Sequence, residues 1–191
     1  MDVVRRRVIR LTAAGVALAV VHACAPAPDE AADADATHDM AATETASEAA
    51  DLDALRQVTA GFGDISAARA AGYNEQITPC WYHRDQGAQG YHFGRTELID
   101  GSVSLLEPEL VMYEPLADGS MQFLGVEYIV PFDAWNEPDP PEVLGRPFMR
   151  NEQLGLYVMH VWLGKDNPNG LYTSWHPNAS CEHAEESEDR A

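Results

Sequence analysis

The chain has 191 residues with 31 acidic and 12 basic side chains, a formal charge of −19 in which Lys165 is the only lysine. So acidic a surface excludes electrostatic binding of nucleic acid or of anionic lipid head groups, since both need a basic patch. With 46% hydrophobic residues the chain still carries enough apolar material for a core, and its composition shifts divide it into four stretches.

The first stretch, residues 1–23, has a basic start (Arg5, Arg6, Arg7, Arg10) followed by an apolar run from Leu11 to Val21. That run is too short for a permanent span, which needs about twenty residues, and has the proportions of a cleaved signal peptide. It ends in Val21-His22-Ala23-Cys24, which resembles the lipobox of bacterial lipoproteins, with His22 in a slot usually held by a small residue. The resemblance implies that Cys24 becomes the lipidated N-terminus, carrying diacylglyceryl and palmitate-type chains. The alternative is an ordinary secretory peptide cut near Ala23. Arg5-Arg6-Arg7-Val8-Ile9 also resembles a twin-arginine signal. Loss of residues 1–23 removes four arginines and one aspartate, leaving the remainder three units more negative than the whole chain. Any membrane association is therefore expected through the lipid alone. Ala25 lacks the aspartate that resembles an inner-membrane retention signal, so the outer membrane is the expected anchor.

Residues 24–50 are Ala, Asp, Glu, Thr and Pro with hardly a bulky apolar side chain. Such a tract cannot bury enough surface to offset its ordering entropy and is expected to be a disordered acidic tether. Residues 182–191, Glu-His-Ala-Glu-Glu-Ser-Glu-Asp-Arg-Ala, are expected as a second disordered acidic tail.

Residues 51–181 are expected to form one globular α+β domain. Asp51 is placed to cap a helix carrying Leu52, Leu55 and Val58 on one face, and Asp64 to cap a second helix over Ile65 to Ala71 that Gly72 stops. From Tyr73 the texture changes to short aromatic and β-branched runs broken by Gly, Pro, Asn and Asp. The expected strands are Gly90 to Phe93, Leu110 to Glu114, Met121 to Val130 and Leu156 to Trp162, the middle two joined by a hairpin through Leu116-Ala117-Asp118-Gly119. The expected architecture is two short N-terminal helices packed on a mostly antiparallel sheet, or partial barrel, with a Pro-rich loop from Pro131 to Pro147.

With Cys24 assigned to lipid, Cys80 and Cys181 are an even pair in an exported chain, and a disulfide between them is expected. The alternative is a thiolate ligand or nucleophile, which an oxidising compartment disfavours. Three polar residues fall inside apolar strand patterns: His92 in Gly-Tyr-His-Phe-Gly, Glu127 in Gly-Val-Glu-Tyr-Ile-Val and His160 in Val-Met-His-Val-Trp. Alternation puts Glu127 on a face with Phe123 and Ile129, and His160 on a face with Leu156, Val158 and Trp162. Should these faces converge, two imidazoles and a carboxylate form a ligand set for zinc, copper or iron, with Trp162 and Tyr128 around it. The bland alternative is a hydrogen-bonded core pair that fixes register. His83 and His176, in Cys80-Trp81-Tyr82-His83 and Trp175-His176-Pro177, are candidates to complete the site if the disulfide joins those segments.

A second class of function comes from the aromatic residues Trp81, Tyr82, Trp135, Tyr172 and Trp175, all expected in loops. There flat rings serve glycan or protein binding, with Trp81 and Trp175 as the candidate platform. Packing on sheet edges is the alternative. Nothing in the pattern specifies an oligomeric state or a catalytic residue.

The series Ala-Ala-Gly-Tyr, Gly-Tyr-His-Phe, Leu-Ile-Asp-Gly, Gly-Val-Glu-Tyr-Ile-Val, His-Val-Trp, Asn-Pro-Asn-Gly and Trp-His-Pro-Asn-Ala-Ser-Cys resembles a family of uncharacterised exported bacterial proteins over Leu55 to Cys181. The resemblance implies the domain limits and export, and carries over no activity. The family often has asparagine at the position of His176, and a short Gly-Met stretch in place of Asp85 to Gln89.

Overall fold

A computed structural model of the chain describes residues 46–191. The expected signal segment, Cys24 and most of the tether lie outside the described residues. Helix α1 covers 46–59 and so begins inside the stretch expected to be tether. The Ala-rich 46–50 segment has high helix propensity. It also gains tertiary partners, for the Glu48 carboxylate accepts from Tyr172 Oη at 2.7 Å and from Arg146 Nε at 3.2 Å. Leu52, Leu55 and Thr59 form its buried stripe, and Thr59 Oγ1 donates to the Leu55 carbonyl. Val58, expected on that stripe, is 44% exposed. At 100° per residue the seventh position after Leu52 returns to its face and the sixth does not. Helix α2, Ile65–Ala70, starts as expected, with Asp64 accepting from the Ser66 N–H at 2.9 Å.

The molecule is mostly β. Seven strands form one curled, half-barrel sheet: β1 (Glu75–His83), β2 (Gly87–Gly94), β3 (Leu110–Pro115), β4 (Met121–Pro131), β7 (Met149–Asn151), β8 (Leu156–Val161) and β9 (Ser187–Asp189), in the order β7-β8-β4-β3-β2-β1-β9. A two-stranded ribbon, β5 (Glu142–Val143) and β6 (Arg146–Pro147), lies in the Pro-rich stretch expected as plain loop. Helical structure is not confined to the N-terminal side, because a 3-10 turn over Thr96–Leu98 interrupts the strands. The β3–β4 hairpin forms through the expected turn, with the Leu116 N–H donating to Ser120 and the Gly119 N–H to Leu116.

Two features of the sheet differ from expectation. Strand β1 has no counterpart among the expected strands because Pro79 sits inside it; its pairing with β2 is irregular around that point, which is how a proline is accommodated within a sheet. The segment 182–191, expected as a solvated tail, instead supplies β9, which pairs parallel with β1. The Cys80–Cys181 disulfide, with Cα atoms 5.8 Å apart, holds it beside β1. The Cys80 N–H then donates to Glu186, and the Arg190 N–H to Tyr82.

One face of the sheet is closed by the helices. Phe62, Tyr73, Phe93, Tyr113 and Phe123 pack edge to face or tilted beneath them, joined by Val111, Val126, Tyr128 and Val130. The Tyr113 hydroxyl donates to the Phe62 carbonyl and the Tyr73 hydroxyl to that of Pro108. The other face carries two small apolar clusters. One is Leu110, Ile129 and Val158; the other is Ala88, Met112, Leu124, Trp162 and Ala179. The segment from Leu171 to Cys181 covers the second cluster, where Trp162 Nε1 donates to the Thr173 carbonyl.

Candidate metal centre

The three polar strand residues meet on this second face, between its two apolar clusters. Glu127 on β4 lies directly across from His160 on β8, and His92 on β2 lies across from Met112 on the intervening β3. His92 Nε2 is 3.3 Å from Glu127 Oε2, and His160 Nε2 is 3.3 Å from Glu127 Oε1. Ligand atoms of all three lie within 4.8 Å of one another. The residues are 0%, 6% and 3% exposed for His92, Glu127 and His160, so the site is dry.

The alternation that builds the site is interrupted once. Phe123 was expected to share a face with Glu127 but packs in the helix-side core with Val126 and Tyr128. A register shift at Met112/Tyr113, opposite Phe123 and Gly125, changes the parity of β4 at that point. Gly125 is required there, since a Cβ would lie 2.2 Å from the Val161 carbonyl oxygen. Tyr128, expected beside the site, also faces the helices, and its hydroxyl donates to the Leu105 carbonyl; as the chain neighbour of Glu127 it has to point the opposite way. Trp162 is where alternation places it, its indole stacked 9° from parallel on the His160 ring with centroids 6.1 Å apart.

Burial sets the protonation of the group. It lowers His92 to about 3, with His160 adding to the effect, and lowers His160 to about 4. It raises Glu127 to about 8, with the nearby Glu109 adding to it. Burial thus favours the neutral form of all three groups, in which the 3.3 Å contacts are not ion pairs. Nor are they hydrogen bonds, for their geometry leaves His92 Nε2 and both ring nitrogens of His160 without a partner. Buried polar atoms without partners cost about 1–3 kcal/mol each. Two imidazole nitrogens 3.3 Å from one carboxyl group have the spacing of neighbouring ligands on an ion with bonds of about 2.0–2.1 Å, so the group could hold a metal ion.

Sequence reasoning missed Thr78, whose Oγ1 lies 2.8 Å from His92 Nδ1 and fixes that ring from behind. Its only trace is a β-branched residue next to Pro79, and the proline hides the strand. The other candidates take different roles. His176 is fully buried, and both its nitrogens are engaged, Nδ1 accepting from the Asn178 N–H and Nε2 lying 3.1 Å from the Asp166 carbonyl. It packs edge-on against Trp162 and does not join the triad. His83 packs against Trp175. Trp81 belongs to β1 and not to a loop. Its indole sits 5.4 Å from the His92 ring, Arg190 lies over it at 4.6 Å, and Nε1 donates to Glu188 at 3.0 Å, making it a wall of the site.

No protein-family model, curated protein or solved structure matches the chain.

Proposed function

We propose that this chain is a lipid-anchored cell-envelope protein that holds a divalent transition-metal ion, zinc, copper or iron, between His92, Glu127 and His160. The observation that carries the reading is the pair of unpartnered Nε2 atoms facing the two oxygens of one buried carboxylate. Two imidazoles and a carboxylate suit all three metals. Thr78 holds the His92 ring, and the Trp162 indole stacks on the His160 ring. The ion would supply Lewis acidity and would tie β2, β4 and β8 together. The lipobox-like Val21-His22-Ala23-Cys24 supports the anchor, and a disulfide between Cys80 and Cys181 fits an oxidising compartment.

Metal content by mass spectrometry tests the reading on the exported protein purified without a histidine tag, beside Glu127→Gln and a His92→Ala/His160→Ala double variant. Near-stoichiometric metal is expected in the parent and none in the double variant, with Glu127→Gln, which removes a ligand, losing more than the roughly 100-fold that an outer partner costs. Glu127→Gln keeps the shape of the protonated carboxyl and is expected to change apoprotein stability by less than about 1 kcal/mol. Absence of metal in the parent after reconstitution with zinc, copper and iron would sink the proposal. It would leave a neutral Glu127–histidine network as the role of these residues.

A further inference from the structure

Resting on the metal reading, we infer that the centre is an open one whose coordination is completed from outside by a small monoanionic Lewis base entering beside His160. Among the described residues no further side chain is placed to close the coordination sphere. The cluster holds three ligand residues, whereas a closed structural site has four. The nearest further imidazole on this face, His176, has both nitrogens committed to the main chain. Cys80 and Cys181 are bonded to each other. The Glu114 carboxylate is held by Lys165 and by the Ser180 N–H, and the Glu109 carboxylate accepts from the Ile129 N–H. Thr78 Oγ1 is engaged with His92. Met112 remains on this face, its side chain packed in the apolar cluster with Trp162 and Leu124; as a soft donor it suits copper, so the open position is inferred for zinc or iron.

Charge specifies the class of the incoming ligand. Within the ligand set itself, two neutral imidazoles and one carboxylate around a divalent ion leave a net charge of about +1, the nearby Glu109 carboxyl being turned to the Ile129 N–H, and in a buried site that charge is costly unless neutralised. One monoanion balances it. The route follows from the strand edge. On the side of β8 away from β4, Met149 of β7 pairs with Val158 and the Trp162 N–H donates to Leu171. Between these two points no strand pairs with the edge at His160, whose side chain is itself 3% exposed. A pocket of about 300 Å³ opens there, lined by His160 with Gly145, Arg146, Pro147, Met149 and Tyr172 among others. Glu48 already neutralises Arg146 at its rim, so the pocket admits a small anion without trapping it.

The test is azide titration of the cobalt(II)-loaded full-length protein, followed by its visible absorption, with acetonitrile as a neutral comparison and Met149→Trp as the second variant. Met149 is 52% exposed, so the larger side chain is tolerated and narrows the mouth. The expected result is a saturable shift of the cobalt bands with azide and none with acetonitrile, and binding about tenfold weaker or slower in Met149→Trp. Cobalt bound with bands indifferent to azide would overturn the open position and leave the metal reading intact. Azide binding unchanged in Met149→Trp would overturn the route. Failure of cobalt, zinc, copper and iron to bind would overturn both this inference and the reading beneath it.

Discussion

Thr78 and Glu127 show how much of the site rests on single side chains. The Thr78 hydroxyl is the one partner of an imidazole with no exposed surface, and partners of this kind orient a ligand ring and set its tautomer. Thr78→Val keeps the β-branched shape. It is expected to weaken metal binding by roughly 10–100-fold while leaving the fold intact, a contrast that a competition assay and far-UV circular dichroism would expose. The same residues set the response to pH. Glu127 and Glu109, raised by burial from 4.5 to about 8 and about 7, keep protons in the folded state that the unfolded chain has released. Their contribution is complete below 4.5 and is lost as pH rises through 7 and 8. His92 and His160, lowered from 6.5 to about 3 and about 4, contribute fully above 6.5 and lose that contribution as pH falls toward their folded values. Where the two trends cross, the metal-free protein is expected to be most stable, between about pH 5 and 6. Urea denaturation from pH 4 to 9 locates that maximum. A bound ion takes the place of the Glu127 proton, so saturating metal should move it upward.

At the scale of elements, the C-terminal segment matters most. β9 is three residues long and lies at the sheet edge, where so short a strand has little stability of its own. The Cys80–Cys181 bond makes its pairing effectively intramolecular, spanning 101 positions of chain. Replacing both cysteines by alanine is expected to cost about 2–5 kcal/mol. The loss should begin at β9, because Glu188 and Arg190 would leave Trp81. A fall in melting temperature with a red-shifted tryptophan emission that precedes global unfolding would show it; coincident transitions would argue against a separate early step. α1 is anchored comparably, through Glu48 to Arg146 and Tyr172. That contact explains why its helix runs back into residues whose composition alone reads as tether.

For the whole molecule, the net charge and the proposed lipid anchor set the expectations. A chain at −19 is not drawn to an anionic membrane by its net charge, and in the proposed reading membrane association depends on Cys24. Cys24→Ser is expected to move the protein from the membrane pellet to the soluble exported fraction, as fractionation at low and high salt would report. Retention that salt reverses would point to an electrostatic partner and against the lipid. Across the fold, an ion at the triad would link three strands of the curled sheet, so protection from amide exchange should rise together in β2, β4 and β8 when metal is added.

The candidate ligands were legible because each breaks an apolar strand pattern, and the α2 cap, the β3–β4 turn and the cysteine pair were legible because their signals are local. Alternation along a strand says which side a residue takes, but it does not say which strands are neighbours. The order β8-β4-β3-β2 put His160, Glu127 and His92 together. One irregularity near Gly125 then sent Phe123 and Glu127 to opposite faces. Thr78 and β9 were hidden for a related reason. A proline and an acidic run read as non-strand in isolation, and only pairing with β2 and a disulfide to Cys80 makes them part of the sheet. Composition and local pattern thus determined the acidic surface, four of the nine described strands and the candidate ligands. The tertiary structure alone decided that those ligands converge in a dry site, because convergence depends on long-range register that no local residue preference encodes.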